Sequence, residues 1–142
     1  MNTKQKQAFE IALSQYGNKE RKGGENPDIL KYFHDIGFSE IKEDEIPWCS
    51  AFVNWCMLKA GLPNTKNLAA RSWLGWGTKV MVPEIGDVAV FRRGVTGWQG
   101  HVGFYIKNDG YYVWVLGGNQ SDEVTISKYP GTDLLSYRRW LE

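Results

Sequence analysis

The chain has 142 residues, with 17 Lys plus Arg against 16 Asp plus Glu and a formal net charge of +1. That balance excludes the one-signed surface of a dedicated nucleic-acid binder or of a polybasic membrane-surface protein. Hydrophobic residues at 42% and charged residues at 23% describe one globular domain over residues 1–142 rather than a disordered tract.

Residues 3–16 place Ala8, Ile11, Ala12 and Leu13 at helical spacing, and Gly17 stops the run. Residues 18–27 are polar, charged and glycine-containing, hence a loop. A short helix is predicted over 28–34 from Ile29, Leu30 and Phe33. An acidic stretch, Glu43-Asp44-Glu45, precedes Pro47-Trp48-Cys49. From Ser50 to Ala60, the run of Phe52, Val53, Trp55, Cys56 and Leu58 predicts a buried helix, closed by Gly61 and Pro63. A further helix is expected over 66–76, with Leu68, Ala69 and Trp73 on one side.

After Pro83 the period changes. Residues 87–91, 101–106, 111–116, 124–129 and 134–140 are rich in Val, Tyr, Phe and Trp and bounded by Gly, Asn, Asp or Pro, and so read as five strands. Lys107-Asn108-Asp109-Gly110 is a hairpin signal. Helices grouped before short antiparallel strands make an α+β fold.

There is no apolar run of signal-peptide length at the start and none near the roughly 18 residues of a membrane span. The expectation is a protein made in the cytoplasm and delivered elsewhere only with help.

Chemistry narrows to few residues because the chain has only two cysteines and two histidines. Cys49 lies at or just before the first turn of the 50–60 helix, where unpaired N–H groups and the helix dipole favour a thiolate and could hold an oxyanion. Cys56 lies within the apolar run, about 10 Å away along the helix and beyond disulfide reach; it reads as core. His34 reads as the polar end of a short helix. His101 starts a strong strand behind a glycine-bearing loop, and a cysteine at a helix start with a histidine on a later strand is a thiol-nucleophile arrangement. A third polar group to orient the ring is offered by Asn119 or Gln120. A three-residue hairpin loop puts Asn119 on the face of His101, a two- or four-residue loop puts Gln120 there, and Gly117-Gly118 is a bulge signal.

The segments Pro47-Trp48-Cys49-Ser50-Ala51-Phe52-Val53-Asn54-Trp55, Gly86-Asp87-Val88-Ala89-Val90-Phe91, Gly100-His101-Val102-Gly103-Phe104-Tyr105 and Leu116-Gly117-Gly118-Asn119-Gln120 resemble, in this order, the motifs of CHAP and NlpC/P60-type cysteine peptidases. The resemblance covers about residues 27–140. It implies a papain-like α+β fold in which the nucleophile helix packs on an antiparallel sheet of about five strands. It also implies hydrolysis of a peptidoglycan amide bond, as an endopeptidase or an N-acetylmuramoyl-L-alanine amidase, without metal or cofactor. Carried over by position, Cys49 is the nucleophile, His101 the general base and then acid, and Asn119 the orienting residue. One departure is that the oxyanion-hole glutamine which the resemblance places a few residues before the cysteine is missing; Asp44 and Glu45 stand there instead.

Trp48, Trp73 and Trp98, with Gln120, are expected to line a groove for sugar rings and stem peptides, and Trp76 lies near the same elements. Trp55 and Trp140 read as core. The expected partners are peptidoglycan, a phage delivery machinery or a cognate immunity protein; a holin, phage tail or secretion system would carry the enzyme to the periplasm or wall. Two other function classes compete. One is a Trp-rich wall-binding or phage structural module on the same fold. The other is a lysozyme-like glycosidase using Glu43 and Glu45, though such a charge run usually marks a solvated loop. A zinc amidase is disfavoured because His34 and His101 lack ligand spacing.

Overall fold

The computed structural model describes residues 2–21, 26–42 and 47–141. The acidic stretch at Glu43, Asp44 and Glu45 lies outside them. Three helices come first: α1 (Thr3–Ser14), α2 (Pro27–His34) and α3 (Cys49–Lys59). A 3-10 segment, Ala70–Gly75, leads into six strands, and a second, Gly131–Asp133, separates the last two. These are β1 (Thr78–Val80), β2 (Val88–Arg92), β3 (Gly100–Asn108), β4 (Tyr112–Gln120), β5 (Glu123–Pro130) and β6 (Leu134–Arg139).

Asn2 caps α1 by accepting from the Lys4 amide, and Asn26 caps α2 by accepting from Asp28, with Pro27 in the first turn. Nothing of the kind caps α3: Trp48 occupies that position without a side-chain bond, so the first amides of the helix keep no side-chain acceptor there. Every α3 residue from Cys49 to Met57 is buried, as expected of a helix that is apolar nearly all round. It is enclosed by Ala8 and Ala12 of α1, by Ile29, Tyr32 and Phe33 of α2, and by the sheet face carrying Val102, Phe104 and Leu116.

The strands form one sheet in the order β1-β6-β2-β3-β4-β5, with every neighbouring pair antiparallel. Five of the six are the expected strands; β1 is an addition, a three-residue edge strand paired to β6. The helix expected over 66–76 is reduced to the 3-10 segment. Buried Asn54 on α3 explains this, since its Oδ1 accepts from the amides of Thr65 and Lys66 at 2.9 and 2.8 Å. Those bonds hold Lys66 at a φ of +48°, which a helix cannot include.

Two bulges matter for the site. Between β3 and β4 the pairing passes from Tyr105↔Val115 to Lys107↔Trp114, leaving Ile106 as the extra residue. Between β4 and β5 it passes from Gly117↔Thr125 to Gln120↔Glu123, so β4 carries one residue more than β5. Asn119 sits in this second bulge with a left-handed φ of +57°.

Candidate active site

Cys49 is the first residue of α3, buried at 8% exposure, and the Val102 backbone of β3 lies near enough to its sulfur to favour the thiolate. The helix start thus packs against the residue next to His101. The His101 ring is itself buried. Its Nε2 lies 2.8 Å from Gln120 Oε1 and 3.1 Å from the Tyr129 hydroxyl, which in turn donates to Gln120 Oε1 at 3.1 Å. Tyr129 also stacks on the imidazole, with ring centres 4.7 Å apart.

The orientation of Gln120 follows from its other end. Its Nε2 donates to the carbonyls of Thr125 and Val115 at 2.6 and 3.3 Å, so the oxygen must face the histidine. An amide oxygen accepts only, hence His101 Nε2 carries the proton and donates it. Nδ1 of the neutral ring is then the lone-pair nitrogen. It is the buried side-chain polar atom that has no hydrogen-bond partner among the described residues. A buried base left unpaired is the kind of exception that a functional role accounts for.

The expected orienting residue, Asn119, does not make this contact. Continuing the Phe104↔Leu116 register down the ladder would set position 119 opposite His101. The bulge, with its left-handed Asn119, turns Gln120 onto that face instead. Asn119 is left lining the pocket that contains Cys49. Gln120, expected to touch substrate, is 2% exposed and belongs to the histidine.

Burial governs the electrostatics. Desolvation pushes the Cys49 thiol up, against the backbone hydrogen bond at Val102, the charge of Arg93 and the helix-start amides. It pushes His101 down to about 4, with Arg93 acting in the same direction and the Gln120 bond against it. The thiolate expected from helix position alone is therefore outweighed, and thiol and imidazole both rest neutral. Cys56, wholly buried inside α3, is pushed well above the usual thiol range by desolvation.

Cys49 opens into a cavity of about 310 Å³ whose lining includes Pro47, Leu68, Ala69, Arg93, Trp98 and Asn119. Of the aromatic residues expected to line a groove, Trp98 does so, 71% exposed on the rim. Trp48 and Trp73 do not: both are fully buried and serve as struts. Trp48 donates to Glu20, stacks on Tyr32, and its ring touches Gly118 so closely that a Cβ there would come within 2.6 Å. Gly118 is thus required if the bulged end of β4 is to reach the start of α3. Trp73 donates to Ser50 Oγ at 3.0 Å, fixing the helix start from the other side. Trp76 donates to the Pro63 carbonyl and packs on Trp140.

His34 ends α2, exposed and bonded to the Ile41 carbonyl, remote in role from this site. Among the described residues, no group of three or more His, Cys, Asp or Glu is placed to hold a metal ion. Tyr129 and Arg93 were not singled out from the sequence. Nothing in the alternation of β5 distinguishes a tyrosine that packs on a histidine from one that fills core.

The CHAP domain model matches residues 41–119, more than half of the chain, and ends one residue short of Gln120. The chain belongs to the CHAP family. No curated protein sequence matches it. Solved structures of NlpC/P60 proteins share its papain-like α+β fold. A hypothetical invasion protein of Mycobacterium tuberculosis superposes with a TM-score of 0.62 at 21% identity, covering 98% of this chain and 62% of that one. RipD of the same organism, described as a non-catalytic NlpC/p60 domain protein adapted to peptidoglycan binding, gives 0.58 at 19% identity over 99% and 100%. An NLP/P60-family protein of Staphylococcus aureus gives 0.61 at 17% over 100% and 43%. The CHAP chain thus spans about three fifths of the first of these structures and under half of the last.

Proposed function

We propose that this CHAP domain hydrolyses an amide bond of peptidoglycan by a thiol mechanism, with Cys49 as nucleophile, His101 as base and then acid, and Gln120 as the orienting residue. The observation that carries the reading is the fixed tautomer of His101. Gln120 and Tyr129 occupy Nε2, and the ring presents an unpaired Nδ1 on the strand whose Val102 backbone lies near the Cys49 sulfur.

In this scheme His101 Nδ1 takes the thiol proton as sulfur attacks the scissile carbonyl, and the resulting imidazolium is held through Nε2–H by Gln120 Oε1. The amide of Cys49 at the start of α3 faces the developing oxyanion. Collapse of the adduct breaks the C–N bond, His101 returns the proton to the leaving amine, and a thioester remains on Cys49. Water, deprotonated by His101, then releases the acid. Resting neutrality of the pair is compatible with this course, because charge separates only as the bond forms. Delivery to the wall by a phage or secretion machinery, and pairing with an immunity protein, belong to the same proposal.

A second reading, a wall-binding module without catalysis, has one observation in its favour: the raised thiol of Cys49, together with the fold shared with RipD. Digestion of purified peptidoglycan by wild type, Cys49→Ala and His101→Ala, with products identified by mass, separates the two. Hydrolysis is expected from wild type only. Equal release by Cys49→Ala, or none by any of the three with wall binding intact, would exclude the thiol mechanism.

A further inference from the structure

Arg93 follows the last residue of β2 and reaches the mouth of the Cys49 cavity. It is exposed, and its guanidinium makes no hydrogen bond or ion pair among the described residues. The arginines around it are engaged: Arg71 on the carbonyls of Gln99 and Thr96, Arg92 on Asp133, Arg138 on the carbonyls of Trp76 and Gly77, Arg139 on Asp87. Of the described residues lining the cavity, Arg93 is the one that carries charge; the remaining wall is apolar, as at Pro47 and Leu68, or neutral, as at Asn119.

The segment after Arg93 is held from behind. Arg71 donates to the carbonyls of Gln99 and Thr96 at 2.8 and 3.0 Å, and the Thr96 hydroxyl accepts from the Gln99 amide at 3.1 Å. The Arg93 amide itself bonds the Gln99 carbonyl. The free cation is therefore mounted on fixed backbone, with the Trp98 ring on the same rim. Its charge is felt at Cys49, His101 and Tyr129, which sets it close to the reacting pair. Being also a residue that discourages protonation of His101, it has a cost for the acid step unless an anion neutralises it in the complex.

A guanidinium with its donors unspent among the described residues, in a cavity whose other described lining residues are uncharged, matches a carboxylate through two parallel hydrogen bonds. We propose that the cavity selects acyl-amide substrates bearing a carboxylate beside the scissile bond, and that Arg93 is the residue that reads it. The inference rests on the hydrolase reading above. A peptide can supply the carboxylate from two sources, a branch carboxylate within the chain or a free C-terminus.

The test uses synthetic stem peptides in matched pairs. One pair differs only in whether the branch group is carboxylate or carboxamide, and the other only in whether the C-terminus is. For wild type, one of the pairs should show a preference for the carboxylate of about tenfold in kcat/KM. The preference should shrink as salt is raised. In Arg93→Gln, the ratio within that pair should fall to near one. The ratio is the readout because any effect of Arg93 on the charge state of His101 or Cys49 is common to both members. Either pair responding supports the proposal and identifies the source. Equal rates for both pairs in wild type, or an undiminished ratio in Arg93→Gln, would overturn it.

If wild type cleaves neither pair, the hydrolase reading fails separately. Binding of the same peptides to Cys49→Ala and to Cys49→Ala/Arg93→Gln, followed by calorimetry, then decides the carboxylate question alone. A carboxylate preference that disappears with Arg93 upholds it, and no preference refutes it.

Discussion

His101 is enclosed, and burial holds its pKa near 4 against an ordinary 6.5, so mild acid should weaken the fold. Below the unfolded value the denatured chain binds a proton at this ring while the folded chain does not, so stability falls as pH drops from 6.5 towards 4 and levels off beneath it. The full lowering, from 6.5 to about 4, corresponds to about 3 kcal/mol, of which about 2 to 3 kcal/mol should be lost between neutral pH and about pH 4.5. That is a large share of the 5 to 15 kcal/mol typical of a domain. Asp109, whose carboxyl is drawn below its ordinary value by the backbone amides of Tyr112 and Tyr111, adds a loss only at still lower pH. Urea unfolding followed by tryptophan fluorescence at the two pH values measures the difference. In His101→Gln, which has nothing to protonate there, the loss over this window should be largely removed. A wild-type stability that is flat across the window, or a slope that survives in His101→Gln, would show that the ring is not buried neutral.

Four further outcomes follow from the same geometry. Gln120→Ala should lower kcat by about a hundredfold through loss of the ring-orienting acceptor, with a far smaller effect from Asn119→Ala; steady-state hydrolysis of a soluble peptide compares them. Tyr129→Phe keeps the stacked ring and removes the hydroxyl that bridges His101 and Gln120, so kcat and its pH profile should change while the unfolding midpoint hardly moves. Gly118→Ala drives a methyl into Trp48 and the Phe52 Cβ, 2.6 and 2.8 Å away, and should destabilise by about 1 to 3 kcal/mol in denaturant titration. Iodoacetamide should modify Cys49 slowly at neutral pH and progressively faster above pH 9, with Cys56 slower throughout; rapid alkylation of Cys49 below neutrality, read by peptide mass, would indicate a thiolate–imidazolium pair instead.

Much of the fold was legible because its signals are local. The all-apolar run of α3 and the alternating strands each specify their own conformation. The 3-10 segment was not legible as such, because what interrupts the helix is an asparagine side chain twelve residues upstream of Lys66 taking two backbone amides. For the site, helix position and strand start are one-dimensional facts and identified Cys49 and His101 as the pair to watch. The choice between Asn119 and Gln120 turned on two bulges that no periodicity records, one at Ile106 and one at Asn119 itself. The tryptophans misled for a related reason. A ring at a glycine-rich or site-proximal position looks like a binding surface, yet Trp48 and Trp73 are consumed in holding Gly118 and Ser50. Tyr129 and Arg93 reach the site only through tertiary packing, from β5 and from the segment that follows β2.

The central claim is that Cys49 forms a covalent acyl intermediate. Mixing the wild-type protein with a soluble muropeptide, quenching in acid within the first turnover and measuring the intact mass tests it directly. An adduct equal to the acyl fragment is expected, located on the peptide containing Cys49 and absent from Cys49→Ala. Product formation by Cys49→Ala at the wild-type rate, with no adduct on Cys49 in either protein, would contradict it.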